Sequence, residues 1–413
     1  MTIFQTIALL LILAAAGAYF NRRVFKLPAT IGIMVFAQLL SLAAIGLNGM
    51  GLIDLHHVSE FVARIDFPNV MLHGLLSFLL FAGALRVDFA ELKKNKVTVI
   101  VLATVSVALS MLIVSALIWL AALWLGHALP YAHAMLFGAL IAPTDPVAVL
   151  STLKETTLTK SLRIKIGCES LLNDGMGVVL FLLILGIAMQ PETHSVNAPQ
   201  VLIMGIGSVC GGIALGLASG WLACSLINSI DDYNIEVLLT LALAAGSYAL
   251  AEALYVSAPV TVVVAGLVIG NHGRMFNMAD KTRNYLDTFW ELLDQTVNAI
   301  LFMLIGMQMI VIPVDELSVT LGLIAIPVVL LARYISVALP IMAMSLRSKF
   351  EPGTLTLLTW GGLRGGISIA MALSLPAGHE KNLLLGMTYI VVVFSILVQG
   401  TTFRRVANGT AKP

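Results

Sequence analysis

Residues 140–147 read Leu140-Ile141-Ala142-Pro143-Thr144-Asp145-Pro146-Val147. Pro143 and Pro146 each lack a backbone donor and clash with the preceding turn, so a helix entering this stretch breaks around Thr144-Asp145. A simple proline kink would need no aspartate. Irregular backbone at membrane depth is tolerated where it lines a cavity, and the carbonyls it frees can ligate cations. The rest of the chain sets that depth. Of its 413 residues, 59% are hydrophobic and 11% are charged, and the mean hydropathy is +0.99. Soluble domains carry about 25% charged residues. So much apolar surface requires lipid as the solvent. The formal net charge of +1 points to no nucleic-acid partner.

A span needs roughly 20 mostly apolar residues. Working outward from the break, thirteen stretches qualify: 3–20, 28–48, 68–85, 97–125, 132–150, 164–189, 200–227, 235–252, 257–271, 288–311, 316–345, 353–375 and 384–402. The stretches 97–125 and 316–345 are long enough to imply tilt or a helical extension. The first is read as a span and not a signal peptide, because no Lys or Arg precedes Arg22. Loop charge sets the orientation. With the N-terminus outside, only Arg64 and Lys381 of the 23 Lys and Arg residues fall in outside loops, while Arg333 and Arg364 lie inside spans. The C-terminus is then cytoplasmic. The loop at Asp231 and Asp232 is inside by parity but carries no Lys or Arg. No loop is long enough to hold a nucleotide-binding or enzymatic domain. The three cysteines, Cys168, Cys210 and Cys224, have no metal spacing and read as small core residues.

Ionisable residues inside spans mark pathways or paired structural sites. The run Gly167-Cys168-Glu169-Ser170-Leu171-Leu172-Asn173-Asp174-Gly175 sorts into two rows at i,i+4: Glu169 with Asn173, and Ser170 with Asp174. Ser170 and Asp174 offer a hydroxyl and a carboxylate to one small cation, and hard cations take oxygen ligands. Glu169 and Asn173 lie on a neighbouring row suited to structure. Arg364 sits in Trp360-Gly361-Gly362-Leu363-Arg364-Gly365-Gly366, whose glycines permit an unwound stretch and close backbone approach. A buried guanidinium needs a partner, and Glu169 is the first candidate. Arg333 either pairs with an acid or snorkels to an interface. Glu291 and Asp294 are read as interfacial, Glu252 as lying at an outer span end, and His73 as a packing residue.

Together these residues resemble the NhaP-like bacterial branch of the monovalent cation:proton antiporter family. The resemblance rests on APTDPVAV at 142–149, ESLLNDGMGVVLF at 169–181, FWELLDQTVNAILFMLIG at 289–306 and GGLRGGIS at 361–368. It covers essentially the whole chain. It implies an all-α membrane protein with two inverted six-helix repeats and crossed broken helices at spans 5 and 12. It implies a dimerisation domain from residues 1–67 and 191–287, and a core ion-transport domain from 68–190 and 288–413. It further implies a homodimer in the bacterial inner membrane, serving pH homeostasis. The ion site it implies comprises the Thr144 carbonyl, Asp145, Ser170 and Asp174, with a Glu169–Arg364 ion pair holding the helices. Asn173 before Asp174 goes with electroneutral exchange in the family, two aspartates with electrogenic exchange. One position departs from the family. Many relatives carry a glutamate in span 3, and Phe81-Ala82-Gly83 places Ala82 there.

The expected activity is exchange of Na⁺ or Li⁺ for H⁺, with Asp174 as the proton carrier. Burial disfavours a charged carboxylate, and either a cation or a proton removes that charge. An empty, charged site crosses the apolar barrier rarely, so the two ions must alternate. The nearest alternative is K⁺/H⁺ exchange. A sodium-coupled solute symporter would need a solute pocket beyond the ion site, and a channel would need a continuous polar pore. No H-E-x-x-H or G-x-S-x-G set marks an enzyme, and no cofactor is expected.

Overall fold

The computed structural model describes residues 3–145, 159–189, 198–230, 232–275, 280–313, 315–345 and 350–410. Among the described residues there are helices and short connections, and no strand. The helices are α1 (Ile3–Phe20), α2 (Ala29–Gly49), α3 (Leu55–Arg64), α4 (Asn69–Leu85), α5 (Phe89–Trp124), α6 (Tyr131–Ile141) and α7 (Lys160–Ala188). There follow α8 (Ala198–Asn228), α9 (Tyr233–Ala253), α10 (Ala258–Met275), α11 (Asp280–Met307), α12 (Glu316–Ser345), α13 (Thr354–Trp360), α14 (Gly366–Leu373) and α15 (His379–Thr410).

Nine of the described helices are long and apolar enough to cross a membrane, and Asn69–Leu85, Tyr131–Ile141 and Ala258–Asn271 are shorter apolar helices. The interrupted pair α13–α14 completes a set that matches the thirteen expected spans one for one. The second half of the fifth span, from residue 146, lies outside the described residues, as do Lys154, Arg347 and Lys349. α12 remains one helix through Pro327 and Pro340.

Two boundaries differ from the hydropathy reading for the same reason. α5 begins at Phe89, eight residues before the apolar stretch, because Asp88 caps it: its Oδ1 accepts from the backbone N–H of Ala90 at 3.0 Å and of Glu91 at 3.4 Å. Lys93, Lys94 and Lys96 therefore ride on helix, not on a loop. α3 is a short helix the span count passes over, capped by Asp54, whose Oδ1 accepts from His56 N at 2.8 Å. An apolar window registers neither, because both helices start in polar sequence.

The large apolar side chains on the outside include Phe4, Ile203, Met204 and Trp221, each more than half exposed. Lipid makes that arrangement favourable. Cys168 and Cys224 are buried as expected, but Cys210 of α8 is exposed. At the centre, α6 and α14 pack against each other, and both pack against α7 and α15. The two interrupted helices thus meet inside a wall of continuous ones.

Candidate functional site where two helix breaks meet

α6 ends at Ile141, and Pro143-Thr144-Asp145 run on without helical hydrogen bonds. α13 ends at Trp360, and the chain stays non-helical until Gly366. The breaks touch through backbone: Asp145 N donates to Leu363 O at 2.7 Å. Such contact demands glycine. A Cβ on Gly365 would stand 2.6 Å from the Cβ of Asp145, and one on Gly362 would stand 2.8 Å from Nε of Arg333.

The carbonyls freed by the proline break need donors. Arg364 supplies them: its Nη1 donates to Ala142 O at 2.7 Å and to Pro143 O at 3.1 Å. Its own backbone N–H donates to Ser395 Oγ at 2.9 Å. Arg364 is only 1% exposed.

The expected Glu169–Arg364 ion pair is not what forms. Glu169 is paired with Arg333 of α12, whose Nη1 and Nη2 donate to Oε1 at 2.9 Å and Oε2 at 3.0 Å. The fork-on-fork geometry satisfies both carboxylate oxygens, and each partner is 3% exposed at the side chain. The reason is division of labour. The prolines leave acceptors at the crossing that Arg364 reaches, and the unbroken α12 presents Arg333 directly to α7. The sequence showed Arg333 as a charge within an apolar span, but not which way α12 is turned.

The two rows on α7 behave differently. Asn173 donates through Nδ2 to Thr144 Oγ1 at 3.0 Å and to Glu169 Oε1 at 3.3 Å, tying the break to the ion pair. Ser170 donates to the Thr144 carbonyl, and the Ser170 and Thr144 hydroxyls lie 3.0 Å apart. Asp174 is 6% exposed, and its Oδ1 has no donor. Asp174 borders a cavity of about 690 Å³ whose lining also includes Thr144, Asp145, Ser368, Asp294 and Asn298. Carboxylate, hydroxyl and carbonyl oxygens thus converge beside a hollow, a donor set suited to a hard cation.

Two residues change their reading. His73 is no packing residue: its Nδ1 meets Glu252, linking α4 to α9. Asp294 is not a lone interfacial acid: it lines the cavity and accepts from Arg86 at 3.0 Å. Ala82 is fully buried and is not among the residues that line the hollow.

The family described as sodium/hydrogen exchanger, transmembrane, matches residues 8–409. The chain belongs to that family. Among similar members is the Na⁺/H⁺ antiporter NhaP of Pseudomonas aeruginosa, 42% identical over 95% of this chain and 94% of that one. The Na⁺/H⁺ antiporter NhaH of Halobacillus aidingensis is 33% identical over 92% and 95%. The solved structure of the sodium proton antiporter MjNhaP1 from Methanocaldococcus jannaschii at pH 8 superposes with a TM-score of 0.77. It covers 99% of each chain at 20% sequence identity, which establishes a common exchanger fold and no more.

Proposed function

We propose that this exchanger swaps Na⁺ or Li⁺ for H⁺ one for one, with both ions competing for Asp174. Its relatives' names support the ion pair. The single observation that carries the site is Asp174, buried with a donorless Oδ1, lining one cavity with Asp145 and Thr144 at the crossing. A cation there would take oxygens from Asp174, Asp145, Ser170 and the Thr144 carbonyl. Ser170 donates to that carbonyl, and turning its hydroxyl hydrogen aside would free both oxygens for the ion.

Charge then sets the exchange rule. Loaded with a cation or a proton, Asp174 carries the same net charge and can be passed across. Empty, it is a bare carboxylate, which costs several kcal/mol to bring through an apolar barrier. The Glu169–Arg333 pair satisfies both carboxylate oxygens and Arg364 Nη1 holds two carbonyls, so these residues hold the geometry around the exchange site. Asn173 adds hydrogen bonds without adding a second proton site, in keeping with electroneutral exchange.

The moving part in this reading is the core of residues 68–190 and 288–413. Residues 1–67 and 191–287 form the scaffold and the homodimer contact in the inner membrane, with the N-terminus outside. The test is a proteoliposome loaded with a pH dye and challenged with Li⁺, Na⁺, K⁺ or Rb⁺ while voltage is collapsed. Na⁺ and Li⁺ should move protons, and Asp174→Asn should abolish the response. A response to K⁺ above Na⁺ would favour the K⁺/H⁺ alternative, and proton-coupled exchange by Asp174→Asn would end the role of Asp174.

A further inference from the structure

The cavity holds a second polar group, on α11, away from the crossing. Asp294 and Asn298 are i and i+4 on that helix, and both line the hollow. Asn298 is 2% exposed. Its Nδ2 donates to the Asp294 carbonyl at 2.8 Å and to Asp294 Oδ1 at 2.8 Å. Both neighbours of that nitrogen are pure acceptors, so turning the amide over would set oxygen against oxygen. The orientation is therefore fixed, and it leaves Oδ1 closed off from water and without a donor. A buried amide oxygen in that position gains from any donor or cation that reaches it.

The other carboxylate oxygen of Asp294 is held by Arg86, which reaches over from the end of α4. The Arg86 side chain is 42% exposed and that of Asp294 19%. Half-solvated ion pairs of this kind are weak, so the guanidinium can leave for water at small cost. Replacing it by a monovalent cation exchanges one positive charge for another and leaves the local charge balance unchanged. A divalent ion would not match it.

We propose that Asp294 and Asn298 form an entrance subsite for a monovalent cation on the way to Asp174, and that Arg86 fills it when no cation is present. Asp294 contributes the charge, the donorless Asn298 oxygen the second ligand, and Arg86 the competitor. The subsite would raise the local cation concentration beside the exchange site.

The proposal rests on the exchange reading only in that the cavity leads to Asp174, and binding to an exchange-dead protein separates the two. The full chain carrying Asp174→Asn is purified in detergent, and ²²Na⁺ binding is measured at equilibrium. A weak Na⁺ site should remain. Adding Arg86→Gln should tighten it about threefold, and adding Asn298→Ala should loosen it about tenfold, sizes typical of one coupled contact. Absence of Na⁺ binding in the Asp174→Asn protein, or an Arg86→Gln affinity equal to its parent's, overturns the subsite and leaves exchange at Asp174 standing. Arg86 lies at a half-exposed helix end, so its variant remains decisive if Asn298→Ala does not fold. In the otherwise unaltered exchanger, the half-saturating Na⁺ concentration should fall with Arg86→Gln. A concentration that stays the same or rises also counts against the proposal.

Discussion

The two helix breaks that meet at the centre are made by opposite means. In 142–145 proline removes backbone donors, and what results is an excess of carbonyl acceptors with a carboxylate among them. In 361–365 glycine removes side chains, and what results is backbone that can be approached to hydrogen-bonding distance, with one arginine in it. Neither break is stable alone. The proline break is short of donors and the glycine break supplies the Arg364 guanidinium, while the Leu363 carbonyl accepts from Asp145 N in return. The lesson is that the negative half binds and the small half fits.

Substitutions can break this comparison at graded cost. The largest effect on exchange should come from the fit. Gly365→Val places carbon where Asp145 now lies, so the carboxylate is displaced and exchange should fall at least about a hundredfold, equivalent to ~2.7 kcal/mol. Near-normal dye response in proteoliposomes would show that the close approach is dispensable. Next comes the charge outside both breaks. Arg333→Ala strands Glu169 as a buried lone charge and should lower stability by about 3–5 kcal/mol. The thermal midpoint of the purified protein reads this, and pairing it with Glu169→Gln should restore most of the loss. Arg364→Met leaves two carbonyls without donors and should cost less, about 1.5–3 kcal/mol. A larger loss than for Arg333→Ala would reverse the ranking of the two arginines. Smallest is Asn173→Ala, which removes the tie between Thr144 and Glu169 at roughly 1 kcal/mol, because Thr144 keeps its Ser170 contact. Its melting curve should nearly overlay that of the unaltered protein.

Much of this was legible in the sequence. Hydropathy and loop charge gave the thirteen elements, because lipid imposes length and apolarity on each span separately. Pro143, Pro146 and the glycines of 361–366 gave the breaks, because their backbone limits are local. The i,i+4 spacing separated the Ser170/Asp174 row from the Glu169/Asn173 row. The identity of Glu169's partner was not legible. Arg333 and Arg364 were both visible as charges within spans, and choosing between them depends on how α12 is rotated about its axis, a property of packing between helices. The Arg86–Asp294 contact and the donorless Asn298 oxygen escaped for the same reason. Each joins or orients groups on helices far apart in sequence. The starts of α3 and α5 were written in Asp54 and Asp88, but as capping signals that an apolar window does not register.

The central claim is that the Asp174 carboxylate does not cross the barrier uncompensated. It is tested most directly by ²²Na⁺ efflux from proteoliposomes clamped at zero voltage into an alkaline, cation-free medium. Efflux should be slow there, and adding unlabelled Na⁺ or lowering the outside pH should each speed it at least about tenfold, a factor that corresponds to ~1.4 kcal/mol of barrier. Fast efflux into the alkaline, cation-free medium would mean the empty charged site returns freely, and the account would be wrong.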